Sequence, residues 1–212
     1  MVGRDDRRAL TRTLIPVTRP AGASTAKGRA RRQQLLATAL RVFGVNGYRG
    51  TSLASIAAEA GISEAGLLHY FPSKPELLLA TLEHYEIAAG KAARLATASN
   101  GSHAELLLRL AADHERDPQF IRLLLVVGSE STDADHPGHE WMAQRYERTR
   151  QHAERQFAAD QGANLLRPQV DTAQLAALMV AVMDGLELQF LLSGGARKIV
   201  APLRAFFTPY YR

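Results

Sequence analysis

Residues Thr51 to Lys74 read TSLASIAAEAGISEAGLLHYFPSK, and the rest of the chain is expected to support the unit that they form. This stretch predicts two short helices joined by a tight turn. Apolar residues recur at helical spacing in the first helix, at Leu53, Ile56, Ala57 and Ala60. Gly61 is expected to end that helix, because glycine takes the left-handed backbone conformation without a steric penalty. Thr51 or Ser52 can cap the first helix and Ser63 the second, since their side-chain oxygens accept from free backbone N–H groups.

The second helix is expected to turn Leu67 and Leu68 inward, with Tyr70 and Phe71 anchoring its end. Two helices that cross steeply over a short turn containing glycine form a helix-turn-helix, whose second helix enters the major groove of DNA. The stretch therefore predicts a DNA-binding unit.

The same stretch carries a resemblance to a known family. The chain resembles the DNA-binding signature of the TetR family of transcriptional regulators at Ala39, Phe43, Gly47-Tyr48, Thr51-Ser52, Gly61-Ile62-Ser63, Leu67 and His69-Tyr70-Phe71-Pro72-Ser73-Lys74. The similarity covers roughly residues 30–80, with apolar, glycine and capping positions in register. Leu68 departs from it, because the family usually has a tyrosine there whose hydroxyl contacts the DNA backbone. Gly66 also leaves the middle of the recognition helix without a side chain.

Composition narrows the class of protein. A chain of 212 residues with 46% hydrophobic and 22% charged residues is expected to be soluble and globular. The absence of cysteine excludes a disulfide framework and a thiolate metal site. No apolar run is expected to reach the ~18 residues that span a bilayer. The arginine-rich start lacks the apolar core of a secretory signal, so a cytoplasmic location is expected.

Positive charge is concentrated in the first third of the chain. Residues 27–74 hold seven basic and two acidic side chains, a net charge of +5, whereas residues 75–212 hold fourteen basic and seventeen acidic ones, a net charge of −3. A basic segment is attracted to the phosphate backbone of DNA because binding releases counterions. A solvated charged face is the alternative, and the helix-turn-helix in the same segment favours DNA binding.

The chain as a whole predicts an all-α fold of about nine helices in three parts. Residues 1–26 are expected to form a flexible basic arm, which either has no role or adds contacts to phosphate or the minor groove. Residues 27–74 form the helix-turn-helix domain, beginning with a helix at about 27–45. Residues 75–212 form a helical effector-binding and dimerisation domain. Its helices are expected at about 74–97, 102–114, 117–131, 136–160, 171–192 and 197–207.

The penultimate helix is apolar nearly all round, so it must be covered on every side. The resemblance implies that the last two helices pair with those of a second copy. The interface residues are then expected to be Leu178, Val182, Leu186, Gln189 and Phe190. The alternative is a core helix of a monomer.

The resemblance also implies the DNA contacts. Thr51 and Ser52 are expected to bind phosphate through hydroxyl and backbone N–H groups, and Tyr70 and Lys74 also to reach phosphate. The helix face expected toward the groove carries Glu64, Ala65, Gly66 and Tyr70. Glu64 either accepts from a cytosine amino group or favours the helix N-terminus. His69 is expected to be packed or solvated.

A regulator of this family is expected to hold an effector inside its larger domain. Candidate lining residues are Tyr85, Phe120, Leu124, Trp141, Met142, Tyr146, Met179 and Met183. A residue of this kind is more often plain core than pocket lining. Few charges fall on inward stripes, so a small and mainly apolar effector is expected. Asp184 and Glu187 either bind a cationic head or form hydrogen bonds at the interface.

Signatures of catalysis and of metal binding are missing from the sequence. No nucleophile motif, phosphate-binding loop or zinc-protease motif occurs, so neither an enzyme nor a cofactor is expected. Of seven histidines only His136 and His139 have ligand-like spacing, and no carboxylate cage accompanies them, so no metal is expected.

Taken together with the patterns, the resemblance implies a ligand-released repressor that binds a near-palindromic operator as a homodimer. One alternative is a dimer that regulates by occupancy without a ligand. Another is a small-molecule-binding or enzymatic helical bundle whose resemblance is incidental.

Overall fold

The computed structural model describes residues 26–97 and 101–212, and the elements in these ranges confirm the all-α prediction. The helices are α1 (Ala26–Asn46), α2 (Leu53–Glu59), α3 (Glu64–Leu68), α4 (Lys74–Thr97), α5 (His103–Arg116), α6 (Gln119–Glu130), α7 (His139–Gly162), α8 (Thr172–Leu192) and α9 (Val200–Phe207). The described residues add one isolated bridge, between Leu166 and Tyr211. The arm expected at residues 1–26 lies outside the described residues apart from Ala26, where α1 begins.

Capping by nearby side chains explains why most helices begin where the sequence predicts. Side-chain oxygens of Ser52, Ser63, Ser102 and Asp171 each accept from a backbone N–H three residues later. Such bonds satisfy amides that a helix leaves unpaired at its first turn. They place the starts of α2, α3, α5 and α8 where the residue types predict them.

Two helices begin about three residues later than expected. Before α7, the segment 131–138 forms a loop in which the Ser131 hydroxyl and the Gly138 N–H both contact Nδ1 of His136, at 2.9 and 3.0 Å. Before α9, a Glu115 oxygen accepts from the N–H groups of Ile199 and Val200, at 2.6 and 3.0 Å. The start of α7 therefore follows a local loop around His136, whereas the start of α9 is set by Glu115, 84 residues before Ile199.

A first hydrophobic cluster lies beneath the predicted DNA-binding unit. It is built from Leu35, Leu36, Phe43, Ile56, Leu67, Phe71, Leu78 and Leu82, with Leu123, Leu124, Val127 and Met142 from α6 and α7. The core of α1–α3 is therefore continuous with α4, α6 and α7. The domain boundary at residue 74 stays a prediction, and no break in packing marks it.

A second hydrophobic cluster joins α5, α7, α8 and α9, with Ile121 contributed by α6. Its most buried members are Ala111, Ile121, Ala153, Phe157, Leu166, Leu175, Ala176, Ile199 and Leu203. α8 packs on α7 and, through Phe190, against the turn that leads to α9.

The outer face of α8 remains apolar and exposed. Leu178, Leu188 and Leu192 are 43%, 46% and 78% exposed, and Ala177 and Ala181 are exposed beside them. By length and composition α8 could cross a membrane, which corrects the expectation that no apolar run is long enough. A single such helix is weak evidence, because core helices of soluble proteins have the same composition. The exposed face shows that the described residues, 26–97 and 101–212, do not cover α8.

Candidate functional site

The two short helices form the predicted helix-turn-helix. Ser52 caps α2 in a reciprocal arrangement with Ser55, whose hydroxyl accepts from the Ser52 N–H. Gly61 directly follows Ala60, the C-cap of α2, and its φ of 66° is the left-handed conformation that the sequence predicts at the end of this helix. Ser63 then caps α3 by accepting from the Gly66 N–H at 3.1 Å.

The face of α3 that points away from the core carries Glu64, Ala65, Leu68 and His69, all exposed. Leu67 is fully buried, as expected, but Leu68 is 38% exposed, so the prediction that Leu68 faces inward is wrong. In a helix, consecutive residues are turned by about 100°, so two adjacent leucines cannot share one buried stripe as narrow as that of α3. Gly66 and Tyr70 are half-buried at the edges of the face.

Thr51 and Lys74 both donate hydrogen bonds to backbone carbonyls between α1 and α2. Thr51 is 4% exposed, and its hydroxyl donates to the Gly47 carbonyl at 2.6 Å. This corrects the expectation that the Thr51 hydroxyl binds phosphate. The Lys74 Nζ donates to the carbonyls of Tyr48 and Thr51, at 3.0 and 2.8 Å. An ammonium has three N–H donors, and two of those of Lys74 are used here. A phosphate contact by Lys74 stays a prediction, and it would use the third donor.

Several basic side chains of the head also hold its helices together. The Arg31 guanidinium donates to the Ala60 carbonyl at the end of α2. Arg32 lies over the Phe71 ring, 4.8 Å from its centre. Arg41 pairs with Glu59 at 2.9 Å, between α1 and α2. The positive segment found in the sequence therefore has a structural role beside its attraction for phosphate.

The turn between α1 and α2 is held from the other side by α6. The Glu130 carboxylate, at the end of α6, accepts from the Tyr48 N–H at 2.6 Å and from the Arg49 N–H at 3.2 Å. The Arg49 guanidinium also pairs with Asp133. The His136 ring meets the Tyr48 ring edge-on, with 4.9 Å between centres. We call the Glu130 bonds to Tyr48 and Arg49 the α6 clamp. Sequence reasoning missed it, because its partners are 81 and 82 residues apart.

A cavity of about 500 Å³ lies between α4, α5, α6, α7 and α8. Its apolar wall includes Leu106, Leu107, Leu110, Phe120, Leu124, Ala153 and Met179. Its polar lining consists of Glu86, His103, His114, Arg145, Thr149, His152, Gln156 and Glu187. Three of the residues named from the sequence, Phe120, Leu124 and Met179, therefore line it.

The other five named lining residues lie elsewhere. Trp141 and Met142 pack into the first hydrophobic cluster, and Met183 is buried in the second. The Tyr85 ring stacks on Phe120, behind the cavity wall. The Tyr146 hydroxyl donates to Asp184 at 2.8 Å. Helical periodicity identifies inward residues, but it does not distinguish a packed stripe from one that borders a void.

Charged groups that line the cavity form two pairs, one between α4 and α7 and one between α5 and α8. Arg145 Nε lies 3.0 Å from a Glu86 oxygen, and His114 Nδ1 lies 2.7 Å from Glu187 Oε1. Glu187 is buried in the chain's own interior, so it belongs to the cavity rather than to an exposed interface. With two carboxylates and one guanidinium, the cavity is more polar than the inward stripes indicated.

Burial shifts the pKa of three side chains, His103 in the cavity lining and the bonded pair Tyr146 and Asp184. Both ring nitrogens of His103 are buried and have no hydrogen-bond partner among the residues that the structure describes. Burial, with a smaller effect of His152, lowers the pKa of His103 to about 4. Burial also raises the pKa of Asp184, an effect that the Tyr146 hydrogen bond opposes. Burial and the Asp184 bond raise the pKa of Tyr146 to about 12.

The residues expected at a dimer interface divide into two groups. Leu178 and Gln189 lie on the exposed face of α8, with Val182 and Leu186 half-buried at its edge. Phe190 does not belong there, because it is 4% exposed and packs against Gly195. Leu188 and Leu192 are exposed and were missed. In a helix that is apolar all round, the sequence does not mark which side the chain's own core covers.

His136 and His139 do not form a ligand pair. Nδ1 of His136 is held by Ser131 and Gly138, and Nδ1 of His139 lies 2.8 Å from the Ser131 carbonyl. Within 26–97 and 101–212, no cluster of three or more histidine, aspartate or glutamate side chains is arranged to hold a metal.

Comparison with known proteins places this geometry in a family. The sequence model of bacterial regulatory proteins of the tetR family matches residues 35–81. The chain is 31% identical over 169 residues to the HTH-type transcriptional regulator BetI of Burkholderia mallei, covering 77% of this chain and 83% of the relative. It is 31% identical over 179 residues to BetI of Burkholderia thailandensis, covering 82% and 88%.

Solved structures agree in fold over most of the chain. A transcriptional regulator from Saccharomonospora viridis, in complex with choline, has a TM-score of 0.73 at 25% identity and covers 85% of this chain and 96% of its own. A TetR regulator from Chloroflexus aurantiacus has a TM-score of 0.77 at 22% identity, with coverage of 89% and 99%. The chain thus belongs to the TetR family of DNA-binding transcriptional regulators.

Proposed function

We propose that the protein is a ligand-released repressor that binds a near-palindromic operator as a homodimer. The observation that carries the proposal is the α6 clamp, which links the outward-facing helix-turn-helix to a helix that also lines the cavity. A ligand that repositions α6 or α4 has a direct path to the DNA-binding head. We further propose a cytoplasmic, non-enzymatic protein, as is usual for regulators that act on the chromosome.

The exposed apolar face of α8 supports the homodimer. Monomeric proteins rarely leave a contiguous apolar patch of this kind, and such patches mark interaction sites. A twofold dimer would present two α3 helices to successive major grooves, one turn of DNA or a multiple of it apart.

Leu188→Arg tests the dimer. An arginine at this position would bury an unpaired charge in the apolar contact, so light scattering should give the mass of a monomer. Leu165→Arg is the matched control, because Leu165 is 44% exposed but lies outside α8. A Leu188→Arg protein that keeps the mass of a dimer would place the interface elsewhere.

The cavity supports an effector that joins a cationic group to an apolar portion. Glu187 supplies a buried negative charge, and the Phe120 ring supplies an aromatic wall of the kind that attracts organic cations. The leucines of α5 and Met179 supply the apolar contact. The choline complex of the Saccharomonospora viridis regulator is consistent with this class. The effector proposed here is therefore less purely apolar than the inward stripes predict.

Fluorescence anisotropy with the DNA directly upstream of the gene tests the function. The full-length protein should bind with sequence preference and with an affinity that falls as salt rises. Choline and decyltrimethylammonium serve as cationic probes, and decanol as the uncharged match. We expect a cationic probe, but not decanol, to release the protein from DNA. Glu187→Gln should weaken that release by the cationic probe.

Two other outcomes distinguish the alternatives. Sequence-preferring binding that no probe releases would favour regulation by occupancy alone. If no DNA is bound in preference to unrelated sequence, the repressor proposal fails and a small-molecule-binding helical bundle is left.

A further inference from the structure

The outward face of α3 lacks the side chains that commonly read purines. Its exposed members are Glu64, Ala65, Leu68 and His69. Guanine is usually read by arginine or lysine and adenine by asparagine or glutamine, through paired hydrogen bonds in the major groove. None of these four residue types lies on this face. Recognition by α3 must therefore use other chemistry.

Leu68 is the largest apolar side chain on that face. It is 38% exposed, whereas Leu67 beside it is fully buried. Leucine has no donor for a phosphate oxygen, so a contact with the DNA backbone would cover it without a hydrogen bond. Among the base edges in the major groove, the apolar group is the C5-methyl of thymine. Apolar contact with that methyl would remove the exposed surface of Leu68 from water.

Ala65 extends the same apolar surface. Residues three apart on a helix are neighbours, with Cβ atoms about 5–6 Å apart. Bases along one strand are about 3.4 Å apart, so the pair Ala65–Leu68 spans one to two base steps. Two side chains at this spacing match two thymines that are adjacent or separated by one base.

We propose that Leu68, together with Ala65, contacts thymine methyl groups and thereby selects thymine in each operator half-site. This inference rests on the proposed DNA binding and adds to it the base that α3 selects. It assigns a specificity-determining role to Leu68, the position at which the chain departs from the family's usual tyrosine.

Deoxyuridine substitution tests the proposal, because deoxyuridine differs from thymidine in this context only by lacking the methyl group. The operator is first obtained by selection from random duplexes with the full-length protein. Each thymine of the selected site is then replaced in turn. At the thymines that face α3, loss of one methyl should weaken binding about fourfold per half-site, the equivalent of one buried methylene group.

Leu68→Ala should weaken binding to the thymine operator and abolish the difference between thymine and uracil duplexes. Leu68→Met, which keeps the apolar volume, should preserve that difference. Val45→Ala is the matched control, because Val45 is an exposed apolar residue of the head that lies outside α3. Circular dichroism of each variant verifies that the head is folded.

Three results would overturn the proposal. They are a selected half-site without thymine, wild-type binding that tolerates every uracil, and a Leu68→Ala loss that is equal on thymine and uracil duplexes. The last would indicate that Leu68 packs on the sugar–phosphate backbone. Each leaves the DNA-binding function intact, whereas failure to select any sequence would remove the proposed function as well.

Discussion

Glu130→Gln should loosen the head from the α6 clamp. The wild-type carboxylate accepts from two consecutive backbone amides, Tyr48 and Arg49, and its side chain is 21% exposed. Hydrogen bonds to a charged group contribute about 1.5–3 kcal/mol each. Glutamine keeps one carbonyl oxygen, so it can retain one bond of neutral strength, while its NH₂ group faces the other amide. The expected loss is about 2 kcal/mol.

Amide hydrogen exchange measures that loss where it occurs. A decrease of about 2 kcal/mol corresponds to about 30-fold faster exchange at the Tyr48 and Arg49 amides, if the head opens locally. If the clamp instead breaks only on global unfolding, the melting temperature should fall by about 4–8 °C. Glu140→Gln is the control, because Glu140 is exposed on α7 and bonds Gln144 rather than a backbone amide.

Unchanged exchange at both amides, with an unchanged melting temperature, would refute the reasoning. It would mean that the carboxylate stabilises the turn no more than a neutral amide does. The proposed coupling through α6 would then lose its physical basis, although DNA binding itself would stand.

Two further changes test contacts at the turn and at the cavity. Gly47→Ala should destabilise the protein by more than Gly61→Ala, and urea denaturation measures both. Both glycines have positive φ, of 71° and 66°, but a Cβ at Gly47 would lie 2.6 Å from a Glu130 oxygen, whereas a Cβ at Gly61 meets nothing within 4 Å. Equal losses would show that the turn moves away from Glu130 at no cost. His103→Phe should make stability less sensitive to acid. Because the pKa of His103 is about 4 in the folded protein and 6.5 ordinarily, the unfolded state binds more protons below pH 6.5. Wild-type stability should therefore fall by up to about 3 kcal/mol as the pH drops from 6.5 to 4. Urea midpoints at pH 7.5 and 5 measure the difference, and a variant with the wild-type acid sensitivity would contradict this assignment.

Helix caps and turn conformations, which depend on neighbouring residues, were predictable from the sequence. Ser52, Ser63 and Asp171 cap helices that begin within three residues of them, and Gly61 takes the conformation that its type predicts. Each of these features depends on atoms a few residues apart, so residue type and spacing are sufficient.

Features that depend on distant partners were not predictable in the same way. Lys74 is a cation beside a recognition helix, and nothing local indicates that carbonyls 23 and 26 residues earlier bind it. Glu130 ends α6 as an ordinary charged residue, yet it holds a turn more than 80 residues away. The cavity likewise depends on how five helices pack together. Only three of the eight lining residues predicted from the sequence therefore border it.

The backbone of Tyr48, which is bound on both sides, has a practical consequence for protein engineering. Its N–H is bound by Glu130, from α6, and its carbonyl is bound by Lys74, at the start of α4. A chimera that grafts this head onto a foreign sensor at residue 74 would carry the lysine but leave the glutamate behind. Such fusions should need a transplanted acid at the end of the recipient's sixth helix before the graft is as rigid as the parent.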